Sequence, residues 1–189
     1  LLGSRLQEWN LLAEDTKISV FRKRNDKLTS YFAMENCICA CKNVNGLMDE
    51  LDIEYNPEDW RLFIDSSKLS LKAVLLHNGN TKPSIPVAHS VAMKETYENM
   101  SLILNAVNYN EHRWLICEDL KVIAVLLGLQ GEFTKFCCLL CLWDSRATAQ
   151  HYEVKDWPIR QGYIPGEHNI KYPPLVQSEK VLLPPLHIK

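Results

Sequence analysis

The sequence lacks several features that would assign it to a familiar class at once. No apolar run approaches the ~18 residues that a membrane-spanning helix needs, so we expect no membrane partner. Neither sign of charge dominates, because 21 Lys and Arg stand against 23 Asp and Glu, a net charge of −2. The overall charge therefore gives no electrostatic case for nucleic-acid binding. The motifs G-x-G-x-x-G, Walker A, G-x-S-x-G and H-E-x-x-H are also missing, which removes common nucleotide-binding, hydrolase and metalloprotease signatures.

The cysteines form a poor disulfide framework. Their number is odd, two of them are adjacent, and several lie in apolar runs typical of strands. This pattern indicates a reducing, intracellular compartment. The seven are Cys37, Cys39, Cys41, Cys117, Cys137, Cys138 and Cys141.

The rest of the composition is that of a globular protein. Of 189 residues, 47% are hydrophobic and 23% charged, which is enough apolar material for a core. No secretory signal opens the chain, since Leu1-Leu2 is followed at once by Ser4-Arg5. The first residue is not Met and the last four resemble the start of a further element, so we expect a fragment of a longer protein.

Hydrophobic periodicity predicts an α/β fold. Three strands with short connections should form an antiparallel meander, and a helix, a strand, a helix and a fifth strand should follow. The strands are predicted at 61–65, 73–77, 85–91, 113–117 and 135–142, and the helices at 97–107 and 120–129. Before the meander, the spacing predicts a helix over 1–15, strands over 17–22 and 37–41, and a short helix over 46–51 capped by Asn45.

Three segments of different character divide the chain. Residues 1–56 are predicted to form a helix and strand appendage, and residues 57–145 the core. Six of the nine prolines lie in 156–189, where they prevent a regular helix. We therefore expect 146–189 to be an extended Pro-rich arm, a truncated insertion or a linker.

Two aspartates stand at the ends of two predicted strands. Asp65 ends the first strand of the meander, and Asp119 follows the fourth strand. The predicted element order is that of the ribonuclease H fold, a mixed sheet in which the first and fourth strands are parallel neighbours. Carboxylates at these two places would face each other and suit Mg²⁺ or Mn²⁺, which keep positions open for water and phosphate oxygens.

Each aspartate also has a purely structural interpretation. Asp119 directly precedes an apolar helix, where N-capping is a common role of Asp, and Asp65 could begin an Asx turn. A third acid is normally needed on a later helix. Glu153, Glu167 and Glu179 are the candidates, but none lies on a convincing helix, so we expect the third acid beyond residue 189.

The segment KFCCLLCLWDSR contains a C-x-x-C from Cys138 to Cys141. Such a knuckle supplies half of a zinc site, and His151, His168 and His187 are the available imidazoles. The alternative is two buried thiols within a strand. A thioredoxin-type redox pair is less favoured, because no helix N-terminus clearly follows the first cysteine to lower its pKa.

Five stretches of the chain resemble a known family. They are WRLFIDSSKLSLKAVLLHNGN, PVAHSVAMKETYENM, DLKVIAVLLGLQ, CCLLCLWDSRA and LLPPLHIK. They are similar to a large set of multi-copy, transposon-derived invertebrate proteins from arthropods and hydra, and the resemblance covers nearly the whole chain. The pattern is similar to that of cut-and-paste (DDE-type) transposases with a ribonuclease H-like catalytic core, in which a C-x-x-C follows the second aspartate.

This resemblance implies roles for individual residues. Asp65 matches the first acid and Asp119 the second, as catalytic ligands of Mg²⁺ or Mn²⁺. Cys138 and Cys141 match the C-x-x-C, and His187 matches the histidine of PPLHIK, which suggests Zn²⁺ as a second metal. The third acid and further zinc ligands are expected in a helical region beyond LHIK.

One departure from the family pattern concerns the second aspartate. Relatives usually read GDLK, whereas this chain has Glu118 directly before Asp119. The substitution is expected to add charge and bulk beside the metal site. Together with truncation, it suggests a decayed copy.

The resemblance implies metal-dependent phosphodiester cleavage and strand transfer on DNA by the ancestral protein, in the nucleus, with a homo-oligomer as a further expectation. Without a third acid the chain is expected to be inactive as it stands. The alternative is a non-enzymatic nucleic-acid- or protein-binding module that retains the fold. A third hypothesis is a module that binds only zinc.

Overall fold

The computed structural model describes residues 9, 26–67, 69–131 and 134–183. These residues form five α-helices, a seven-stranded mixed sheet and three short 3₁₀ turns. The helices are α1 (Asp26–Thr29), α2 (Val44–Glu50), α3 (Tyr97–Ala106), α4 (Tyr109–His112) and α5 (Leu120–Leu126). The strands are β1 (Phe32–Glu35), β2 (Ile38–Cys41), β3 (Trp60–Ser66), β4 (Leu71–His77), β5 (Ile85–Ser90), β6 (Leu115–Cys117) and β7 (Val181–Leu182).

The sheet has the order β1-β2-β5-β4-β3-β6-β7. The predicted meander is confirmed, because β3 pairs antiparallel with β4 and β4 pairs antiparallel with β5. The predicted parallel pairing of the first and fourth core strands is confirmed too, since β6 lies parallel to β3. Strand β7 adds a second parallel pair beside β6.

The prediction of a fifth strand over 135–142 is wrong. In this stretch Cys141 forms only an isolated bridge with Ile159. The backbone N–H of Leu140 donates to the Cys138 thiol and that of Leu142 to the carbonyl oxygen of Pro158, so neither amide is available to a strand of the sheet. The strand beside β6 is instead β7, a segment that the sequence placed in the Pro-rich arm.

The first part of the chain extends the same sheet. Strands β1 and β2 pair with each other, and β2 pairs with β5 at the edge of the meander. Helix α2 begins earlier than predicted, because Asn43 and not Asn45 caps it by accepting the N–H of Gly46. The predicted helix over 1–15 and strand over 17–22 lie outside the described residues, apart from residue 9. The division into three segments remains a prediction, although one sheet contains strands from all three.

The core lies between the sheet and helices α2, α3 and α5. Alternation along β3 buries Trp60, Leu62 and Ile64 and leaves Asp65 on the opposite, exposed side of the strand. Helices α3 and α5 bury one apolar stripe each, at the 3.6-residue period of an amphipathic helix. No helix in the described part of the chain is long and apolar enough to cross a membrane.

The described part of the Pro-rich arm, 146–183, is mostly irregular chain that packs on the core. Ile170 and Val176 are buried in the core cluster, and the N–H of Leu175 donates to Leu126 O at the end of α5 (2.8 Å). Gly128 allows this approach. Its φ of +74° lies in the left-handed region, and a β-carbon there would collide with the carbonyl oxygen of Tyr172.

Candidate functional site

Asp65 lies near the end of β3, and Asp119 lies two residues beyond the end of β6, the parallel neighbour of β3. Arg61 pairs with Leu115, and Leu62 pairs with Ile116. Continuing this register by three residues places Asp65 level with Asp119, just beyond the C-terminal end of β6. Both residues are exposed. The pairing predicted from the sequence is therefore compatible with the arrangement of the two strands.

The structural interpretation of Asp119 is confirmed. Its Oδ1 accepts the backbone N–H of Val122 at 2.8 Å, which caps the N-terminus of α5. This contact uses one carboxylate oxygen. A metal ion at this position would have to share the carboxylate with the helix cap.

The structural interpretation of Asp65 is wrong. Asp65 lies within β3, where it pairs with Lys72 across the hairpin, so no Asx turn begins there. The hydroxyl of Ser67 makes the turn instead, by accepting the N–H of Ser70 at 3.1 Å. The carboxylate of Asp65 is thus not needed to form the hairpin.

Glu118 turns into the protein, which differs from the expectation that it adds charge beside Asp119. Its side chain is 3% exposed, and its Oε1 accepts the backbone N–H of Ile64 at the point where β6 ends. Burial first, and then the charges of Asp119, Asp65 and Glu95, together raise the pKa of Glu118 to about 10. The carboxyl group is therefore neutral at pH 7. It accepts the amide of β3 in the place of a backbone carbonyl oxygen of β6.

Glu95 is a fourth acid at this end of the sheet, and sequence reasoning missed it. Its Oε2 accepts the hydroxyl of Ser66 at 2.8 Å and lies 3.2 Å from the Lys121 ammonium. Its Oε1 is buried without a hydrogen-bond partner in the described part of the chain. No motif marks Glu95, because it lies in an irregular loop before α3 and only the folded chain brings it to β3 and α5.

None of the expected third acids joins this group. Glu153, Glu167 and Glu179 are exposed and lie in turns of the arm. Within residues 26–67, 69–131 and 134–183, no group of three or more His, Cys, Asp or Glu side chains could hold a metal ion. The two-carboxylate metal site of Asp65 and Asp119 stays a prediction.

Cys138 and Cys141 lie together at a second place in the fold. The Cys138 thiol accepts the N–H of Leu140, with Sγ and N 3.4 Å apart, and hydrogen-bonds with the Cys141 side chain. Burial acts to raise the pKa of Cys138, but the hydrogen bonds from Leu140 and Cys141 and the charge of Arg160 outweigh it, so this pKa lies below the ordinary value. Burial and the contact with Cys138 raise the pKa of Cys141. These contacts therefore favour the thiolate form at Cys138 over Cys141.

Arg160 organises the loop around these cysteines, and no sequence signal pointed to it. It is 8% exposed, and its guanidinium donates to the carbonyl oxygens of Cys138, Phe136 and His168 at 3.1–3.3 Å. A buried cation saturated with carbonyl acceptors fixes the backbone of both segments. Arg160 thus ties the segment around Cys138 to the segment around His168.

Two of the three available imidazoles make other contacts. The His151 Nε2 atom contacts the carbonyl oxygen of Asp144 at 2.7 Å, and its ring stacks on Trp143. The ring of His168 packs edge-on against Phe136. His187 lies outside the described residues, so its role stays a prediction.

One family model matches the chain over residues 20–176, and it is described as a domain of unknown function, DUF8703. The chain belongs to the DUF8703 family. The matched region includes both aspartates, Glu118 and the C-x-x-C, and it ends before β7 and His187. No curated protein and no solved structure matches the chain.

Proposed function

We propose that this chain is a fragment of a transposase-derived protein with a ribonuclease H-like core. The arrangement of β5, β4, β3, β6 and β7 supports this proposal. Three antiparallel strands are followed by two strands parallel to the first, and α3 and α5 occupy the connections that the ribonuclease H order requires. On this proposal β1 and β2 are additions at one edge of the core.

The ancestral activity is metal-dependent phosphodiester cleavage and strand transfer on DNA. The observation that carries it is the parallel pairing of β3 with β6, whose register, extended by three residues, brings Asp65 level with Asp119. Two carboxylates suit Mg²⁺ or Mn²⁺, which bind through few protein ligands and retain several waters. When bound, such an ion stabilises charge on phosphate oxygens and activates an attacking hydroxyl. Asp65 contributes an exposed carboxylate, and Asp119 contributes the oxygen that does not cap α5.

We expect the chain by itself to be inactive in cleavage. The acids nearest to the two aspartates are already engaged, Glu118 with the amide of Ile64 and Glu95 with Lys121. A complete site would take its third acid from a region beyond this sequence. DNA is the implied partner, and the nucleus the implied location.

Mn²⁺ binding tests the metal proposal directly. Asp65→Asn and Asp119→Asn each remove one charge and keep the shape, and Asn caps helices about as well as Asp does. Removing groups that only support a metal ligand already costs about 10–100-fold in affinity, so each variant should weaken Mn²⁺ binding by about tenfold or more. Calorimetry or electron paramagnetic resonance measures this.

The exposed Asp156 provides the control, because Asp156→Asn removes the same charge from the arm. This variant should bind Mn²⁺ as the unchanged chain does. Mn²⁺ binding that neither Asp65→Asn nor Asp119→Asn weakens would refute the two-carboxylate site.

A second candidate is a non-enzymatic nucleic-acid-binding module that retains the fold. The internal partners of the acids favour it, because Asp119 caps a helix, Glu118 completes a strand ladder and Glu95 forms an ion pair. On this hypothesis DNA or RNA binding needs no divalent ion and survives Asp65→Ala. Gel-shift titration with and without a chelator separates the two candidates.

We also propose that Cys138 and Cys141 supply two ligands to a structural Zn²⁺ ion. The turn in which the Leu140 amide donates to the first thiol supports this, because such amide-to-sulfur contacts stabilise a thiolate. The other two ligands of a tetrahedral site would come from elsewhere, His187 among them. Cys138→Ser and Cys141→Ser should each abolish bound zinc in the purified chain, whereas Cys37→Ser, at an exposed turn, should not.

A further inference from the structure

A small basic pocket lies at the other end of β6 from the two aspartates. It has a volume of about 190 Å³ and opens between α4 and the segment that leads into β7. The strand pairing of Ile116 with Val181 brings these two parts of the chain together. The residues that line it include Tyr109, Asn110, Arg113, Leu175, Gln177 and Lys180.

The pocket carries two positive charges and no negative one. Neither Arg113 nor Lys180 has a carboxylate within 4.0 Å among the described residues. Burial raises the pKa of Tyr109, in the pocket wall, to about 12, and the charge of Arg113 alone opposes this rise. The acids nearest in sequence, Glu111 and Glu179, do not line the pocket. A cavity with this charge balance attracts an anion.

The backbone at Arg113 is strained. Its φ of 51° and ψ of 44° place it in the left-handed region, at the C-cap of α4 where glycine is the usual residue. A long charged side chain at such a position costs free energy that glycine would not. Strain of this kind clusters at functional sites, so an arginine here favours a role for its guanidinium.

The exposed Arg113 guanidinium makes one hydrogen bond with the described residues. Its Nε–H donates to the carbonyl oxygen of Asn110 at 3.4 Å, and no described atom accepts from the two terminal amino groups. These two groups form the fork that binds two oxygens of one phosphate. The opposite wall is fixed as well, because Lys180 N–H donates to Gln177 O at 3.0 Å directly before β7.

We propose that this pocket binds a phosphate group. Arg113 would take two oxygens through its fork, and the ammonium of Lys180 would take a third from the facing wall. The amides of Asn110 and Gln177 are further donors at the rim. The volume is below the roughly 300 Å³ of a typical pocket for a drug-sized ligand, which fits one small anion. The proposal stands apart from the metal chemistry of Asp65 and Asp119.

Inorganic phosphate is the probe, titrated at constant ionic strength and followed by calorimetry or by amide chemical shifts. Arg113→Gly removes the guanidinium and also relieves the left-handed strain. We expect this variant to unfold at the same or a higher temperature and yet to lose phosphate binding. Lys180→Gln should weaken binding by about tenfold, the effect of one charge-assisted hydrogen bond.

Arg146 and Lys155 are exposed cations outside the pocket, and the variants Arg146→Gln and Lys155→Gln serve as controls. Both should bind phosphate as the unchanged chain does. Phosphate binding that survives Arg113→Gly, or that the control variants weaken equally, overturns the proposal.

A competition experiment identifies the source of the phosphate. If a single-stranded oligonucleotide displaces inorganic phosphate, and Arg113→Gly weakens both ligands, the pocket holds a nucleic-acid backbone. If phosphate stays bound in the presence of the oligonucleotide, the ligand is free phosphate or a small phosphate ester. Either result supports the pocket, and neither depends on Mn²⁺ binding.

Discussion

Replacing Glu118 by glutamine should make the protein more stable at neutral pH and remove part of its pH dependence. Glu118 is 3% exposed, and it accepts the N–H of Ile64. Its pKa rises from an ordinary 4.5 to about 10, chiefly because burial disfavours the charged form. Glutamine has the same shape and the same acceptor oxygen, but it cannot ionise.

The sign of the effect follows from proton counting. Between pH 4.5 and about 10 the folded chain keeps a proton on Glu118 that the unfolded chain has lost. The native state therefore binds more protons, and the free energy of unfolding falls as the pH rises through this window. Below pH 4.5 both states are protonated and the effect vanishes.

At pH 7.5, the free energy of unfolding that is lost through Glu118 depends only on its pKa in the unfolded chain, as long as its pKa in the folded chain lies above 7.5. About three pH units separate 7.5 from 4.5, which corresponds to roughly 4 kcal/mol at about 1.4 kcal/mol per unit. The amide adds a donor, and leaving it unpaired would cost about 1–3 kcal/mol. The net gain of Glu118→Gln at pH 7.5 should therefore be about 1–3 kcal/mol.

Urea denaturation at a series of pH values between 4.5 and 8.5 measures this difference. The gain of Glu118→Gln over the unchanged chain should grow with pH and be absent or reversed near pH 4.5. The exposed Glu153 supplies the control, since Glu153→Gln should show no such growth. A difference between Glu118→Gln and the unchanged chain that stays constant across this range would refute a buried neutral carboxyl group.

Three further substitutions test individual contacts, and all can be followed by urea denaturation. Asp119→Ala removes the cap of α5 and should cost about 1 kcal/mol, whereas Asp119→Asn should cost little; equal losses would contradict the capping role. Gly128→Ala should lower the free energy of unfolding by about 2 kcal/mol or more, because φ at this residue is +74° and the new methyl group would collide with the Tyr172 carbonyl oxygen. Increased amide hydrogen exchange at 170–176 would show that the arm detaches. Tyr55→Phe leaves the indole N–H of Trp114 without the acceptor it now has at 2.8 Å and should cost about 1–3 kcal/mol; an unchanged midpoint would show that water replaces the hydroxyl.

Local patterns were enough to predict the central elements. Strand β3 contains the short apolar run Leu62-Phe63-Ile64, which indicates a strand without any knowledge of its neighbours. Short connections then leave an antiparallel meander as the simplest arrangement of β3, β4 and β5. The capping role of Asp119 is equally local, because it needs only an Asp before an apolar helix.

Contacts between distant segments could not be read in this way. The stretch 135–142 has the apolar composition of a strand, but the Leu140 amide turns toward the Cys138 thiol, and Arg160 from a later segment donates to the Cys138 carbonyl oxygen. The sheet position expected for it is taken by β7, two residues long and too short to stand out by pattern. Glu95 likewise meets Ser66 and Lys121 only after the helices have packed.

The sequence by itself determined the α/β class and the meander, whereas the parallel pairing of β3 with β6 follows from the likeness of the element order to the ribonuclease H fold, and the metal-binding residues stay a prediction. Periodicity, turn chemistry and side-chain type are local properties, and they act before the chain has folded. Only the tertiary structure decided that Glu118 is buried and neutral, that Glu95 joins the acidic end of the sheet, and that Arg113 and Lys180 share a pocket. The protonation state of a buried acid and the charge balance of a pocket depend on desolvation and on residues that are distant in sequence. Desolvation and these contacts arise only when the chain has folded.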